Sequence, residues 1–120
     1  MRILIVEDAI HVAKLLAESV RLQGHEAIVA RSGQEGISLL DEKRPDAVFL
    51  DIVMPEVDGI DVLRRIRKTH PALPVIVITG SALPWQIAEV RRLGVTDVIE
   101  KPFALKHLDQ ALENLQAETR

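Results

Sequence analysis

The chain of 120 residues contains no cysteine. That removes disulfides and thiolate metal sites and suits a reducing compartment. Aromatic residues are scarce: Phe49, Trp85 and Phe103 are all there are, too few for a platform on which bases could stack. Neither sign of charge dominates. Fifteen Lys and Arg stand against eighteen Asp and Glu, interleaved along the chain for a net charge of −3, which leaves no electrostatic footprint for nucleic acid. Direct DNA or RNA binding is not expected. No apolar run approaches the roughly 18 residues of a membrane span. The opening "RILIV" is cut at once by Glu7 and Asp8, so no signal peptide and no membrane contact are expected, and a cytoplasmic location follows. Repeats, low-complexity tracts and linkers are also lacking. With 48% hydrophobic residues the chain can bury a real core, and its length suits a single domain over residues 1–120.

Five short apolar runs rich in branched residues recur: "RILIVED", "EAIVARS", "DAVFLD", "PVIVITG" and "DVIEKP". Each is too short for a helix, and most are continuous rather than alternating. Strands apolar on both faces belong to a parallel sheet covered by helices on both sides. Segments with helical spacing lie between them. Val12, Leu15, Leu16 and Val20 mark the first, ended by Gly24. Ile37, Leu39 and Leu40 mark the second, which stops before Pro45. Ile60, Leu63 and Ile66 mark a third before Pro71, and Ile87, Val90 and Leu93 a fourth closed by Gly94. Leu105, Leu108, Leu112 and Leu115 run through the fifth. Strand and helix alternate five times, which predicts one doubly wound α/β domain.

In an open parallel sheet every strand directs its C-terminal end at the same edge, where ligands bind. Strand one ends in Glu7 and Asp8, strand three in Asp51, strand four in Thr79 and strand five in Lys101. The second ends at Arg31 and Ser32, without an obvious reactive group. Asp51 is the least expected of these, because it closes the most apolar run, and a buried charge costs free energy unless paired. Three crowded carboxylates repel one another. A hard divalent cation such as Mg²⁺, which prefers oxygen ligands and retained waters, resolves that. Lys101 can pair with Asp51 and with a phosphoryl oxygen, and Thr79 supplies a hydroxyl. A carboxylate nucleophile, a metal, a lysine and a hydroxyl suffice for phosphoryl transfer onto Asp51, driven by positioning and charge neutralisation.

Each residue has a plainer reading taken singly. Glu7 and Asp8 can cap the first helix, and Asp51 can cap the loop that follows it. Thr79 suits a strand, and a lysine before proline is by default on the surface. Their convergence on one rim favours function for the set. The four histidines, His11, His25, His70 and His107, fall at expected helix ends and surfaces and form no metal cluster.

With those motifs laid out, the chain resembles a response-regulator receiver domain, the CheY-like phosphoacceptor module of two-component signalling, over essentially its whole length. The resemblance is carried by "VED" after strand one, "LDIVMPEVDG" around Asp51, "TG" at Thr79–Gly80 and "KPF" at Lys101. It implies a flavodoxin-like strand order 2-1-3-4-5 with five helices. It implies that Asp51 accepts phosphate from a sensor histidine kinase, a histidine phosphotransfer protein or a small phosphodonor. Asp8, Asp51 and the Val53 backbone carbonyl would ligate Mg²⁺, with Glu7 acting through water. Thr79 and Lys101 would hold phosphoryl oxygens, and the Lys101–Pro102 bond would be cis. Met54-Pro55 and Asp58-Gly59 match the family's loop after the phosphoacceptor, and Gly80 its small residue beside the phosphoryl group. Such a domain is a switch rather than an enzyme, its chemistry limited to gaining and losing its own phosphate. It acts on a downstream protein target or an attached output domain, and pairing with a second copy is open. It works either as a lone receiver or as part of a hybrid kinase or larger regulator.

Two positions depart from the family's habit. Val98 stands where receivers usually carry the Tyr or Phe that reports phosphorylation. Val53 stands where a polar side chain often lies near the attack path, with Ser81 at another position that tunes dephosphorylation; slow self-dephosphorylation is expected. Val53 also occupies the place of the second Asp of an aspartyl-nucleophile phosphatase, the main competing class. A flavin carrier would want a Gly/Ser/Thr-rich loop where "VEDAIHVAK" is acidic, and a degenerate receiver would not need the full acidic set. Trp85 is open to two placements, exposed beside the fourth helix as an interface anchor or folded over that helix's start after Pro84.

Overall fold

The computed structural model describes residues 1–54 and 58–119. Ten elements alternate along it: β1 (Arg2–Val6), α1 (Ile10–Leu22), β2 (Glu26–Ala30), α2 (Gly33–Lys43), β3 (Ala47–Asp51), α3 (Gly59–Thr69), β4 (Val75–Thr79), α4 (Pro84–Leu93), β5 (Asp97–Glu100) and α5 (Leu105–Thr119). The strands form one parallel sheet in the order 2-1-3-4-5, as expected for a flavodoxin-like chain. The last strand stops at Glu100, so Lys101 stands one residue beyond it rather than closing it.

Successive strand residues face opposite sides of the sheet, and here both sides are apolar. Ile3, Ile5, Ala47, Phe49, Ile76 and Ile78 face one core, closed by Leu16, Ala17 and Val20 of α1 and Leu108, Ala111, Leu112 and Leu115 of α5. Leu4, Val6, Val48, Leu50, Val75 and Val77 face the other, closed by α2, α3 and α4 through Leu40, Ile60, Leu63, Ile66 and Val90. Each fully buried Leu or Ile contributes roughly 1.5–3 kcal/mol, so the two cores stabilise the sheet from both faces.

Two leucines read as core-facing are not. Leu15 is 38% exposed and Leu105 is 55% exposed. The faces they were assigned to are filled by Ala13, Ala17 and Ala111, small residues that let the helices approach the sheet. His25 also departs from the surface placement expected of the histidines. It is buried, with Nδ1 2.9 Å from the Met1 amine, and burial followed by that amine's charge pushes its pKa down.

Local signals explain the helix ends. Ser32 caps α2 by accepting the Glu35 N–H, and Asp58 caps α3 by accepting the Ile60 N–H. Pro84 opens α4, where the Gln86 carboxamide accepts the Leu83 N–H. Ser32 thus explains the end of β2 without any reactive role. Glycine is required at position 59 for space: a Cβ there would lie 2.2 Å from Ile52 Cα. Its N–H donates to the Ile52 carbonyl at 3.2 Å, so α3 starts directly against the residue that follows Asp51.

Candidate functional site

The sheet register brings the reactive residues together. Val6 pairs with Leu50, Asp51 with Ile78 and Thr79 with Glu100. The chain therefore leaves β1, β3, β4 and β5 at one level, and Lys101 is held there by its N–H on the Thr79 carbonyl at 2.8 Å. Carboxylate oxygens of Glu7, Asp8 and Asp51 lie within 4.8 Å of one another. Glu7 and Asp51 are buried, at 1% and 3% exposure, and Asp8 is half-buried.

Lys101 answers both buried acids. Its Nζ lies 3.0 Å from Asp51 Oδ2 and 2.7 Å from Glu7 Oε1, the latter an ion pair without hydrogen-bond alignment. Only the Asp51 contact was legible in the sequence. The remaining oxygens accept backbone N–H groups: Asp51 Oδ1 takes that of Val53 at 2.9 Å, and Glu7 Oε2 that of Ala9 at 3.2 Å. Ala9 rather than Glu7 or Asp8 is the N-cap of α1, and no acidic residue lies in its first turn. Helix capping therefore does not account for Asp8.

Burial pushes the Glu7 carboxyl up to about 7; Asp51 adds to the rise and Lys101 opposes it. Burial pulls Lys101 down, but Glu7 and Asp51 outweigh it and leave the ammonium raised. The rim is thus a site with more negative charge than one lysine neutralises. An oxygen-only donor set of this kind, crowded and dehydrated, fits a hard divalent cation.

Thr79 is buried, and its Oγ1 accepts the Ala82 N–H at 3.1 Å, which leaves the hydroxyl hydrogen to donate. A Cβ on Gly80 would stand 3.6 Å from Lys101 Cδ, in ordinary contact. Val53 is 40% exposed and Val98 half-buried; neither offers a polar side chain. The Lys101–Pro102 bond is cis. Asp58 and Gly59 build the start of α3, while Pro55 of the expected Met54-Pro55 match lies outside the described residues. Trp85 is 56% exposed, the first of its two expected placements.

A flavodoxin-like α/β domain with an acidic, lysine-bearing rim is the class these features define. Residues 3–113 match the family described as the response regulator receiver domain, and the chain belongs to that family. Response regulator MprA of Mycobacterium avium (strain 104) is 34% identical across all 120 residues, which make up 53% of that protein. MprA of Mycolicibacterium vanbaalenii is 37% identical over 108 residues, 90% of this chain and 47% of that one. The chain thus spans about half the length of these curated relatives. Among solved structures, the receiver domain of NtrX from Brucella abortus superposes with a TM-score of 0.89 at 32% identity, covering 96% of this chain and 98% of that one. A CheY-like receiver domain protein from Methanospirillum hungatei JF-1 gives 0.90 over 98% and 94% of the two chains. At 24% identity it supports the fold alone. This chain is therefore a receiver domain of two-component signalling, a signalling module rather than a classical enzyme. Receiver domains bind Mg²⁺ at an acidic pocket, and Glu7, Asp8 and Asp51 form such a pocket here.

Proposed function

We propose that Asp51 is the phosphoacceptor and that its phosphorylation switches protein contacts. The observation that carries this is the setting of Asp51: a buried carboxylate held by Lys101 at 3.0 Å, with two further acids gathered beside it. An Asp51 oxygen attacks phosphorus, the P–N bond of a phosphohistidine breaks, and the imidazole nitrogen leaves with the bonding pair. Lys101 stays against the acceptor and pairs with a phosphoryl oxygen, and the Thr79 hydroxyl donates to another. Asp8, Asp51 and the Val53 carbonyl would hold Mg²⁺, with Glu7 acting through water. The cation, when bound, neutralises charge shared between carboxylates and phosphoryl oxygens. Self-phosphorylation from a small phosphodonor uses the same groups, and self-dephosphorylation is slow beside Val53.

The donor is the phosphohistidine of a sensor kinase or phosphotransfer protein, in a cytoplasmic setting. The recipient of the signal is a protein target or an output domain attached to this one, and residues 1–120 act as one unit in either arrangement. The hydrolase alternative finds no support, since Val53 gives no acid or base two residues past Asp51. Incubation with Mg²⁺ and acetyl phosphate, followed by intact mass, tests the reading. Wild type gains one phosphoryl group in a hydroxylamine-sensitive bond, and Asp51→Asn gains none. An adduct that persists in Asp51→Asn sinks the assignment.

A further inference from the structure

Helix α4 is fastened on one side and at one end. Of its residues only Val90 is fully buried, so apolar packing alone holds it weakly. Its C-terminus is held by the guanidinium of Arg67, in the last turn of α3. Arg67 Nε donates to the Leu93 carbonyl at 2.9 Å and the Gly94 carbonyl at 3.1 Å, and Nη2 to Gly94 at 2.6 Å. Nη1 turns the other way, to the carbonyls of His70 at 3.3 Å and Leu73 at 2.7 Å. One planar cation therefore closes the carbonyl end of α4, where the helix dipole favours positive charge, and ties it to the His70 C-cap of α3 and the loop that follows. Halfway along, Glu89 of α4 receives Arg64 of α3 at 3.4 Å and Arg92 at 2.6 Å.

The N-terminal end of α4 is built oppositely. Its link to the site is the Thr79–Ala82 hydrogen bond. A cavity of about 110 Å³ lies beneath it, between Thr79, Gly80, Ser81, Ala82, Ile87 and Glu100. A wider one of about 420 Å³ opens toward β5 and α5, with Ile87, Arg91 and Val98 among its walls. Leu83 and Trp85 at this end are exposed. A cavity of about 230 Å³ also borders the C-terminal end, lined by Arg67, Leu93 and Gly94 among others, so the carbonyl bonds of Arg67 and not a lack of space fix that end.

We infer that Arg67 is a positioning residue: it pins the C-terminal end of α4 to α3, so that a change at Thr79 moves only the Leu83–Trp85 end. This rests on the phosphoacceptor reading of Asp51. It gives the domain a readout in which Val98 needs no aromatic ring. When the Thr79 hydroxyl turns to a phosphoryl oxygen, the 80–83 segment follows it into the adjoining cavity. The helix then tilts about the clasped end instead of shifting as a whole, and Trp85, the chain's single indole, reports the tilt.

The test compares wild type with Arg67→Met, which keeps the stem and loses the fork, and with Arg67→Lys, which keeps charge but serves fewer carbonyls. Each is treated with Mg²⁺ and acetyl phosphate. Adduct is measured by intact mass, Trp85 by emission, and α4 by amide hydrogen exchange. In wild type, phosphorylation changes Trp85 emission and exchange near residues 83–88 while amides 93–95 stay protected. In both variants the adduct forms to the wild-type extent, amides 93–95 exchange faster by about tenfold or more, and the phosphorylation-dependent change spreads along α4 with loss of most of the Trp85 signal. A merely stabilising Arg67 would lower the unfolding midpoint and leave that signal intact, which overturns the inference. Should Arg67→Met not fold, Arg67→Lys decides alone. Absence of adduct in wild type removes the phosphoacceptor reading and the inference together; adduct with an unaltered Trp85 response in the variants removes the inference only.

Discussion

Lys101 stands closer to Glu7 than to Asp51, with Nζ 2.7 Å from Glu7 Oε1 and 3.0 Å from Asp51 Oδ2. One ammonium therefore divides its charge between two buried carboxylates. Lys101→Met leaves both uncompensated. We expect it to lower the unfolding free energy by about 2–4 kcal/mol in EDTA, slightly below the full cost of breaking a buried pair because the lysine retains some solvent. Urea unfolding measures this directly, and a loss under about 0.5 kcal/mol would refute the charge-sharing account.

Glu7 makes the metal-free protein pH-sensitive. Its folded pKa of about 7 lies above its ordinary value of 4.5, so the folded state binds that proton more tightly than the unfolded chain does. The stability from this group is complete below about pH 4.5 and drains away as pH rises through 7. Glu7→Gln removes the loss, and in EDTA above pH 7 it is expected to exceed wild type by roughly 1–3 kcal/mol. Denaturation midpoints at pH 5 and pH 8 decide it: parallel behaviour of the two proteins contradicts the prediction.

Gly59 and Gly80 flank the same site but differ in the room around them. A Cβ at 59 meets Ile52 backbone at 2.2 Å, while one at 80 meets Lys101 at 3.6 Å. Gly59→Ala is expected to cost about 2–4 kcal/mol, beyond ordinary overpacking because the neighbour is backbone, and Gly80→Ala under about 1 kcal/mol. Equal costs in urea would show that α3 can back away from the strand end.

Val53 presents an exposed hydrocarbon two residues past the acceptor, with its N–H already committed to Asp51 Oδ1. Val53→Asn adds a group able to orient water there, and the acyl phosphate is expected to decay several-fold faster. Decay in the variant at or below the wild-type rate, followed by intact mass over time, would count against slow self-dephosphorylation.

Much of this is legible in the sequence. Continuous apolar runs such as "AVFLD" state that a strand is covered on both sides, and a doubly wound sheet then sends Asp8, Asp51, Thr79 and Lys101 to one edge. What escaped the sequence is what depends on distance between chain-remote groups. Nothing in the spacing of Glu7 and Lys101 indicates a 2.7 Å contact, and Arg67 reads as one more cation on a charged helix until its carbonyl partners are seen. Reading helix faces by leucines misplaced Leu15 and Leu105, because the tight contacts against the sheet are made by alanines, whose hydropathy signal is weak. His25 was misread for a related reason: an ionisable side chain gives no hint of burial when its partner is the distant Met1 amine.

The alternation of the strands between two apolar cores has a further meaning for Asp51. A sheet with one wet face marks each position as in or out by polarity; here both answers are hydrocarbon, and only size distinguishes them. Odd positions along β3 carry Ala47 and Phe49, even ones Val48 and Leu50, and Asp51 shares the parity of Phe49. A slip by one residue would exchange the two sets and turn the acceptor away from Lys101. Shape-matching deep in the protein, with Phe49 as one of its largest pieces, is therefore the address system for a buried carboxylate at the sheet's edge.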